Sequence, residues 1–222
     1  MPLRSTEAPT LSAPAQRTAD PLAALRQATQ ERHARLDAHL PIARPDAQLR
    51  DYAQHARALS GWLAALAPEL RALQTQAPGF AFDDPARLAA LQADLQDADL
   101  NGAPSDVASV PCSTATLDTL QQALQTVPTQ VTAFRWGLAY VVEGSQLGGQ
   151  VLHRRLAPRL APHPLRYLQG SGGNTTGARW REFVERLRDQ VRSPDAVQAA
   201  CAGAAAAFDG LERDLRAAGA PL

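Results

Sequence analysis

The sequence predicts an all-α fold, a single multi-helical domain, on three observations. Apolar residues recur three and four apart in one segment after another, the spacing of a buried helical stripe. Proline and short polar residues sit at the ends of those segments, where helix termini favour them. No stretch alternates apolar and polar residues as a half-buried strand does. At 222 residues the chain is long enough for one full hydrophobic core and short for two.

The elements follow in order. Residues 1–19 are rich in Pro, Ser, Thr and Ala and lack the apolar centre of a signal peptide, so they read as a disordered tail before a helical domain over residues 20–222. Asp20-Pro21 supplies an N-cap and a proline at the first helical position, and the first helix runs to Leu40, where Pro41 stops it. Its stripe is Leu22, Leu25, Thr29, Leu36 and Leu40, with His33 in the middle and Arg26 and Asp37 at the edge. A histidine so placed is headed for the interior. A second helix spans Asp46 to Gln76, with Gly61 and Pro68 as candidate bends. Pro85 opens a shorter helix through Leu95, residues 101–113 form a loop, and another helix lies around Leu117 to Leu124. Pro128 leads into a long helix expected to extend through Arg155 and end at Pro158 or Pro162. Residues 167–177 read as a flexible loop whose glycines do not match a phosphate-cradling pattern. Trp180, Phe183, Val184 and Leu187 mark a further helix, and Phe208, Leu211 and Leu215 mark the last, near Pro194 to Ala217.

Composition narrows the function. The 22 basic and 22 acidic residues balance to a formal charge of zero, which argues against a nucleic-acid partner or a membrane surface. Every basic residue among them is an arginine, a coding bias with no functional reading. Cys112 and Cys201 lie far apart and outside any C-x-x-C pattern, as free thiols in a reducing compartment do. No apolar run reaches the roughly 18 residues of a transmembrane helix. A cytoplasmic protein is expected.

The long helix carries a puzzle between Gly137 and Leu156. Each glycine inside a helix costs about 1 kcal/mol relative to alanine. Gly144, Gly148 and Gly149 therefore forfeit about 3 kcal/mol of the roughly 5–15 kcal/mol that hold a domain together. Gly137, Val141, Gly144, Gly148 and Leu152 fall on one helical face, expected to point inward, and Glu143, Gln146, Gln150, His153 and Arg154 on the other. Small residues at that spacing also let two helices pack closely, which is the plainer account. There is no H-E-x-x-H, no G-x-S-x-G, and no Glu followed three residues later by His, so a metal cluster built from several protein ligands does not fit. What remains is His33, either a satisfied core residue or a ligand, with Asp37 one turn on to accept its second ring N–H. A flat cofactor with one open axial position, heme, suits a lone histidine facing a helix stripped of side chains.

The stretch Leu25-Arg-Gln-Ala-Thr-Gln-Glu-Arg-His33, followed by Ala34-Arg-Leu-Asp37, resembles the proximal-helix motif of the heme oxygenases. Tyr140-Val-Val-Glu-Gly-Ser-Gln-Leu-Gly-Gly149 resembles their distal helix in its bacterial form. Trp180-x-x-Phe183 and the alanine-rich last helix also fall where that family places them, so the resemblance covers Pro21 to Leu215. It implies that His33 is the axial iron ligand and Asp37 the acceptor behind it. Gly144, Gly148 and Gly149 become the distal glycines, whose bare backbone lies close over the macrocycle. Arg26 and Arg181 become propionate partners, and Tyr140 either contacts the heme edge or fills the core. Ser145 stands where animal members carry a water-ordering aspartate, so it is the expected distal polar group, with Gln146 facing outward. His39, His55, His153 and His163 match no motif position and read as structural or surface residues.

The same resemblance implies a b-type heme that is both cofactor and substrate, cleaved with O2 and reductant to biliverdin, CO and ferrous iron. Electrons are expected from an external ferredoxin or reductase, since no flavin or nicotinamide motif is present. Bacterial members of this pattern, associated with bacteriophytochromes, imply a phytochrome-like bilin acceptor. Two rivals stand beside this reading: a non-enzymatic heme carrier or sensor on the same fold, and a heme-free helical enzyme or scaffold such as the thiaminase-like group.

Overall fold

Helices begin where capping residues place them. The computed structural model describes residues 20–97, 112–170 and 175–222; the expected tail, most of the 101–113 loop and the Gly-rich 171–174 stretch lie outside these. Helix α1, Pro21–His39, is capped by Asp20, whose carboxylate accepts from the Leu22 N–H, and closes with the Leu40 N–H on Leu36 O. A short 3-10 turn, Pro41–Ala43, leads to α2, Leu49–Gln76. Asp84 caps α3, Pro85–Gln96, and Ser113 caps α4, Thr114–Gln125. The glycine-bearing helix α5 is Val131–Leu160, followed by the single turn α6, Arg166–Gln169. Helix α7, Thr175–Gln190, and α8, Pro194–Ala217, complete the all-helical domain; the described residues include no strand.

Helix α2 contains both Gly61 and Pro68 and ends at Gln76, the expected end. Of the two expected stops for α5, Pro162 holds and Pro158 does not: the helix runs to Leu160, and a proline in the last turn removes only one ladder hydrogen bond. The start of the expected 167–177 loop is ordered: Tyr167 and Leu168 are buried in α6.

Helix α8 is the member against which the others are set. A Cβ on Gly137 would sit 1.9 Å from the Ala200 carbonyl oxygen, and one on Gly203 2.0 Å from that of Phe134. Helices α5 and α8 therefore touch backbone to backbone, and Gly137 is a packing residue, separate from the other α5 glycines. Helix α1 is tied to α8 by Arg32 on Asp209, at 2.7 and 3.0 Å, and by Arg35 on Glu212 at 2.8 Å. Helix α2 is held by the Trp62 indole N–H on Ala207 O at 2.9 Å and by Gln54 on Ala218 O. Rising numbers meet rising numbers in the first pair of contacts and falling numbers in the second, so α1 runs parallel to α8 and α2 antiparallel. A chain of rings, Phe82 edge-on to Trp136 at 5.1 Å, Trp136 to Phe183 at 5.6 Å and Phe183 stacked on Trp180 at 5.6 Å, fills the core beside α5. No helix among the described residues is long and apolar enough to cross a membrane.

The contact sets the sign of a substitution. Gly137→Ala gains helix propensity but forces α5 off α8, and overpacking of this kind costs about 1–3 kcal/mol. Thermal denaturation should show a melting temperature lower by several degrees; an unchanged or raised value contradicts the backbone contact.

Candidate active site

Helices α1, α2 and α5 enclose a cavity of about 360 Å³, closed by residues of α6, α7 and α8, within the range of small-ligand sites. Tyr140, Gly144, Ser145, Gly148, Gly149 and Leu152 line it from α5, and His33, Leu36, Asp37 and Leu40 from α1. A Cβ on Gly144 would meet only the Trp180 ring, at 3.8 Å, and one on Gly148 would meet nothing within 4 Å. These two missing side chains leave open space beside the cavity where Gly137 leaves helix contact. Gly149 is buried and faces Leu168 of α6 at 3.8 Å.

His33 is not interior, as its stripe suggested. Its side chain is 65% exposed, because the cavity interrupts the apolar stripe and no protein covers the ring there. Its Nδ1 lies 2.9 Å from Asp37 Oδ2 and the Phe208 ring is 6.2 Å away, so Nε2 remains for a ligand. His55 of α2 also lines the cavity, but its Nδ1 is closed off without a partner. Burial depresses the His55 pKa to about 4. Metal-bound imidazoles hold their second N–H on an acceptor, a condition His33 meets and His55 does not. Among the described residues no group of three or more His, Cys, Asp or Glu could hold a metal. A metal on His33 alone needs its other ligands from the bound molecule, and a porphyrin supplies four.

Glu143, expected on the outer face, is buried at 3% exposure. It accepts from Arg87 at 2.9 Å and from Arg179 at 2.8 Å through two nitrogens, which offsets its desolvation and fastens α5 to α3 and α7 one residue before Gly144. Asp94, 1% exposed, accepts from the Arg166 and Tyr167 N–H groups at 3.0 and 3.1 Å, from Arg166 Nη1 at 3.0 Å and from the Tyr52 hydroxyl. That carboxylate orients α6 and with it Tyr167. Gln146 also departs from its expected outward position: it is half-buried and donates to the Tyr167 hydroxyl at 3.0 Å. Ser145 lines the cavity beside Tyr167 and donates to Val142 O at 2.7 Å. Burial raises the Tyr167 pKa against the opposing effects of Ser145, Arg87 and Gln146.

Tyr140 both lines the cavity and packs, with its ring 5.8 Å from Trp180 and Thr29 and Arg26 beside it; burial raises its pKa. Arg26 and Arg181 are exposed and outside the cavity lining, Arg26 on the Tyr140 side and Arg181 next to Trp180. The structure thus brings together His33, Asp37, Tyr140, Gly144, Ser145, Gly148 and Gly149, and leaves the two arginines at the surface. Sequence reasoning missed His55 and Tyr167. His55 shares an α2 face with Tyr52 and Leu59, the same spacing that singled out His33, whereas Tyr167 was hidden by the glycines that follow it.

An all-α domain that sets one histidine, braced by a carboxylate, opposite a glycine-bared helix has the makings of a heme-binding protein. The heme oxygenase family model matches residues 20–214, and the chain belongs to that family. It is similar to the heme oxygenase of Xanthomonas campestris pv. campestris (strain 8004), 43% identical over 84 residues, or 36% of this chain. The match spans about half of that curated relative, 49% of its length. It shares its fold with the solved heme oxygenase from Leptospira interrogans, with a TM-score of 0.67 at 18% identity over 89% of this chain and 98% of that one. The all-α fold and the family expected from the two helix motifs are borne out.

The depressed His55 pKa has a pH signature. The unfolded chain takes up this proton near pH 6.5 and the folded chain only near pH 4, so U binds more protons between them and stability falls as pH drops through that window. Denaturant unfolding from pH 7 to 4 should show a shallower loss in His55→Leu than in the wild type; parallel curves contradict the buried neutral imidazole.

Proposed function

We propose that this chain is a heme oxygenase: it binds b-type heme as its substrate and, with O2 and electrons from an external ferredoxin or reductase, cleaves it to biliverdin, CO and ferrous iron. The observation that carries this is the His33–Asp37 pair at the wall of a cavity kept open by Gly144 and Gly148. The residues present fit the group, since His33 offers one nitrogen and the bare α5 face offers room for a flat ring. Bound heme supplies the iron chemistry that binds and activates O2.

The chain's own residues do the rest. Asp37 holds the Nδ1 proton of His33 and so keeps the Nε2 lone pair free for iron. The bare backbone at Gly144 and Gly148 would let α5 lie close to the ring and would limit the directions in which a small ligand can lean. Arg26 and Arg181, at the Tyr140 and Trp180 side, pair with the propionates. Tyr167 also lines a second cavity of about 140 Å³ with Arg87, Gln146 and Arg166. Protons would reach the heme side from that outer cavity through Tyr167 Oη and Ser145 Oγ once the Ser145 hydroxyl turns from Val142 O into the cavity, with burial holding the phenol in its protonated form and Gln146 donating to its oxygen. This hydroxyl pair takes the place of a distal acid. The distal-helix pattern supports delivery of the bilin to a phytochrome-like acceptor, and the free Cys112 and Cys201 fit a reducing, cytoplasmic setting.

Hemin titration followed by ascorbate or reduced ferredoxin in air tests the reading. The wild type should develop a Soret band and then biliverdin absorption. His33→Ala should lose the ligation spectrum and the product. Tyr167→Phe should keep hemin affinity but slow biliverdin formation about 100-fold, the scale of a lost proton donor. Hemin binding without biliverdin would make the chain a carrier, and a Soret band unchanged in His33→Ala would contradict the site. Full turnover in Tyr167→Phe would contradict the proton path.

A further inference from the structure

The interhelical contacts fix where His55 stands along the cavity. On α8, Arg32 and Arg35 of α1 meet Asp209 and Glu212, while Gln54 and Trp62 of α2 meet Ala218 and Ala207. Interpolating between these contacts places His55 level with the last turn of α1, between Asp37 and Leu40. At 1.5 Å per residue that is about 6–10 Å beyond His33. Arg26 lies two helical turns from His33 in the opposite direction, about 10 Å away, on the side of Tyr140. The two directions along the cavity therefore differ in kind: an exposed cation outside the lining beyond the Tyr140 side, and a neutral imidazole in an apolar wall at the other.

The state of that imidazole limits what it can do. Its Nδ1 is enclosed and unpartnered, so the lower-cost tautomer leaves a lone pair there and puts the proton on Nε2, the other nitrogen of a ring that lines the cavity. Such a ring donates a hydrogen bond and does not ligate iron. The group it meets must be an acceptor, and with the propionates at the Arg26 end the opposite edge of heme carries only hydrocarbon. Opening the ring at the meso carbon of that edge changes this, because each flanking pyrrole acquires a lactam oxygen there.

We propose that His55 is a product-recognition residue: its Nε2–H donates to a lactam oxygen of biliverdin opened at the meso position opposite the propionates, and so favours that isomer. The proposal rests on the heme oxygenase reading and adds a determinant of which bilin the site retains. Heme gains nothing from His55, so the residue discriminates between substrate and product.

Spectroscopic titration with hemin, with this biliverdin, and with an isomer opened beside a propionate-bearing ring tests it on wild type, His55→Leu and His55→Gln. One neutral hydrogen bond corresponds to about a 3–10-fold change in affinity. His55→Leu should weaken biliverdin binding by that factor and leave hemin affinity unchanged. His55→Gln, which keeps an N–H donor, should restore most of the difference. The wild type alone should prefer the first isomer by a similar factor, a comparison that needs no variant to fold. Biliverdin affinity unchanged in His55→Leu, equal weakening of hemin and biliverdin, or equal binding of both isomers by the wild type would each overturn the proposal. These results leave hemin binding intact, whereas absence of a Soret band on hemin addition would remove the heme site and this inference together.

Discussion

The backbone contact between α5 and α8 is the constraint on which the rest of the structure depends. Gly137 and Gly203 let the two helices meet at their carbonyl oxygens, closer than side-chain packing permits. Helix α1 is tied to the same α8 by two arginine–carboxylate pairs, and α2 by the Trp62 indole. The walls of the cavity therefore hang from one member. Their separation is set by α8 even where α1 and α5 do not touch, and that is how a fold keeps space open where a ring can enter. Packed interiors do not leave such space by default.

Fixing the helices is not sufficient, because a helix with three glycines in its middle has weak intrinsic cohesion. The outer side of α5 compensates. Glu143 is buried between Arg87 and Arg179, and the charge balance makes an otherwise costly carboxylate tolerable while fixing α5 just ahead of Gly144. Asp94 gathers four donors and sets Tyr167 against Gln146 and Ser145. One face of α5 thus carries the glycines and the open cavity, and the other a polar framework.

The fold was largely legible because helix caps and apolar spacing are local properties. Asp20, Asp84, Ser113 and Ser193 each cap the helix that follows. The His33–Asp37 pair was legible for the same reason, being one turn of one helix. What a helical wheel cannot show is which face meets a neighbour and which meets a void. It grouped Gly137 with Gly144 and Gly148, although the first opposes a carbonyl, the second the Trp180 ring at ordinary contact distance and the third open space. It also sent Glu143 outward, because its arginine partners come from helices 56 residues upstream and 36 downstream. His55 and Tyr167 reach the site only through α2 and α6, and nothing local marks them.

The central claim is that side chains are missing from α5 at the cavity for the sake of a bound ring and not for the protein itself. Gly148→Leu separates the two, since nothing beyond the adjoining turns of α5 itself lies within 4 Å of a Cβ at that position. Melting of the ligand-free variant and hemin titration should move in opposite senses. Stability should be unchanged or higher by about 1 kcal/mol from the gain in helix propensity, while hemin affinity falls at least about tenfold, or 1.4 kcal/mol. A variant that binds hemin as tightly as the wild type, or that loses stability instead, would contradict the account.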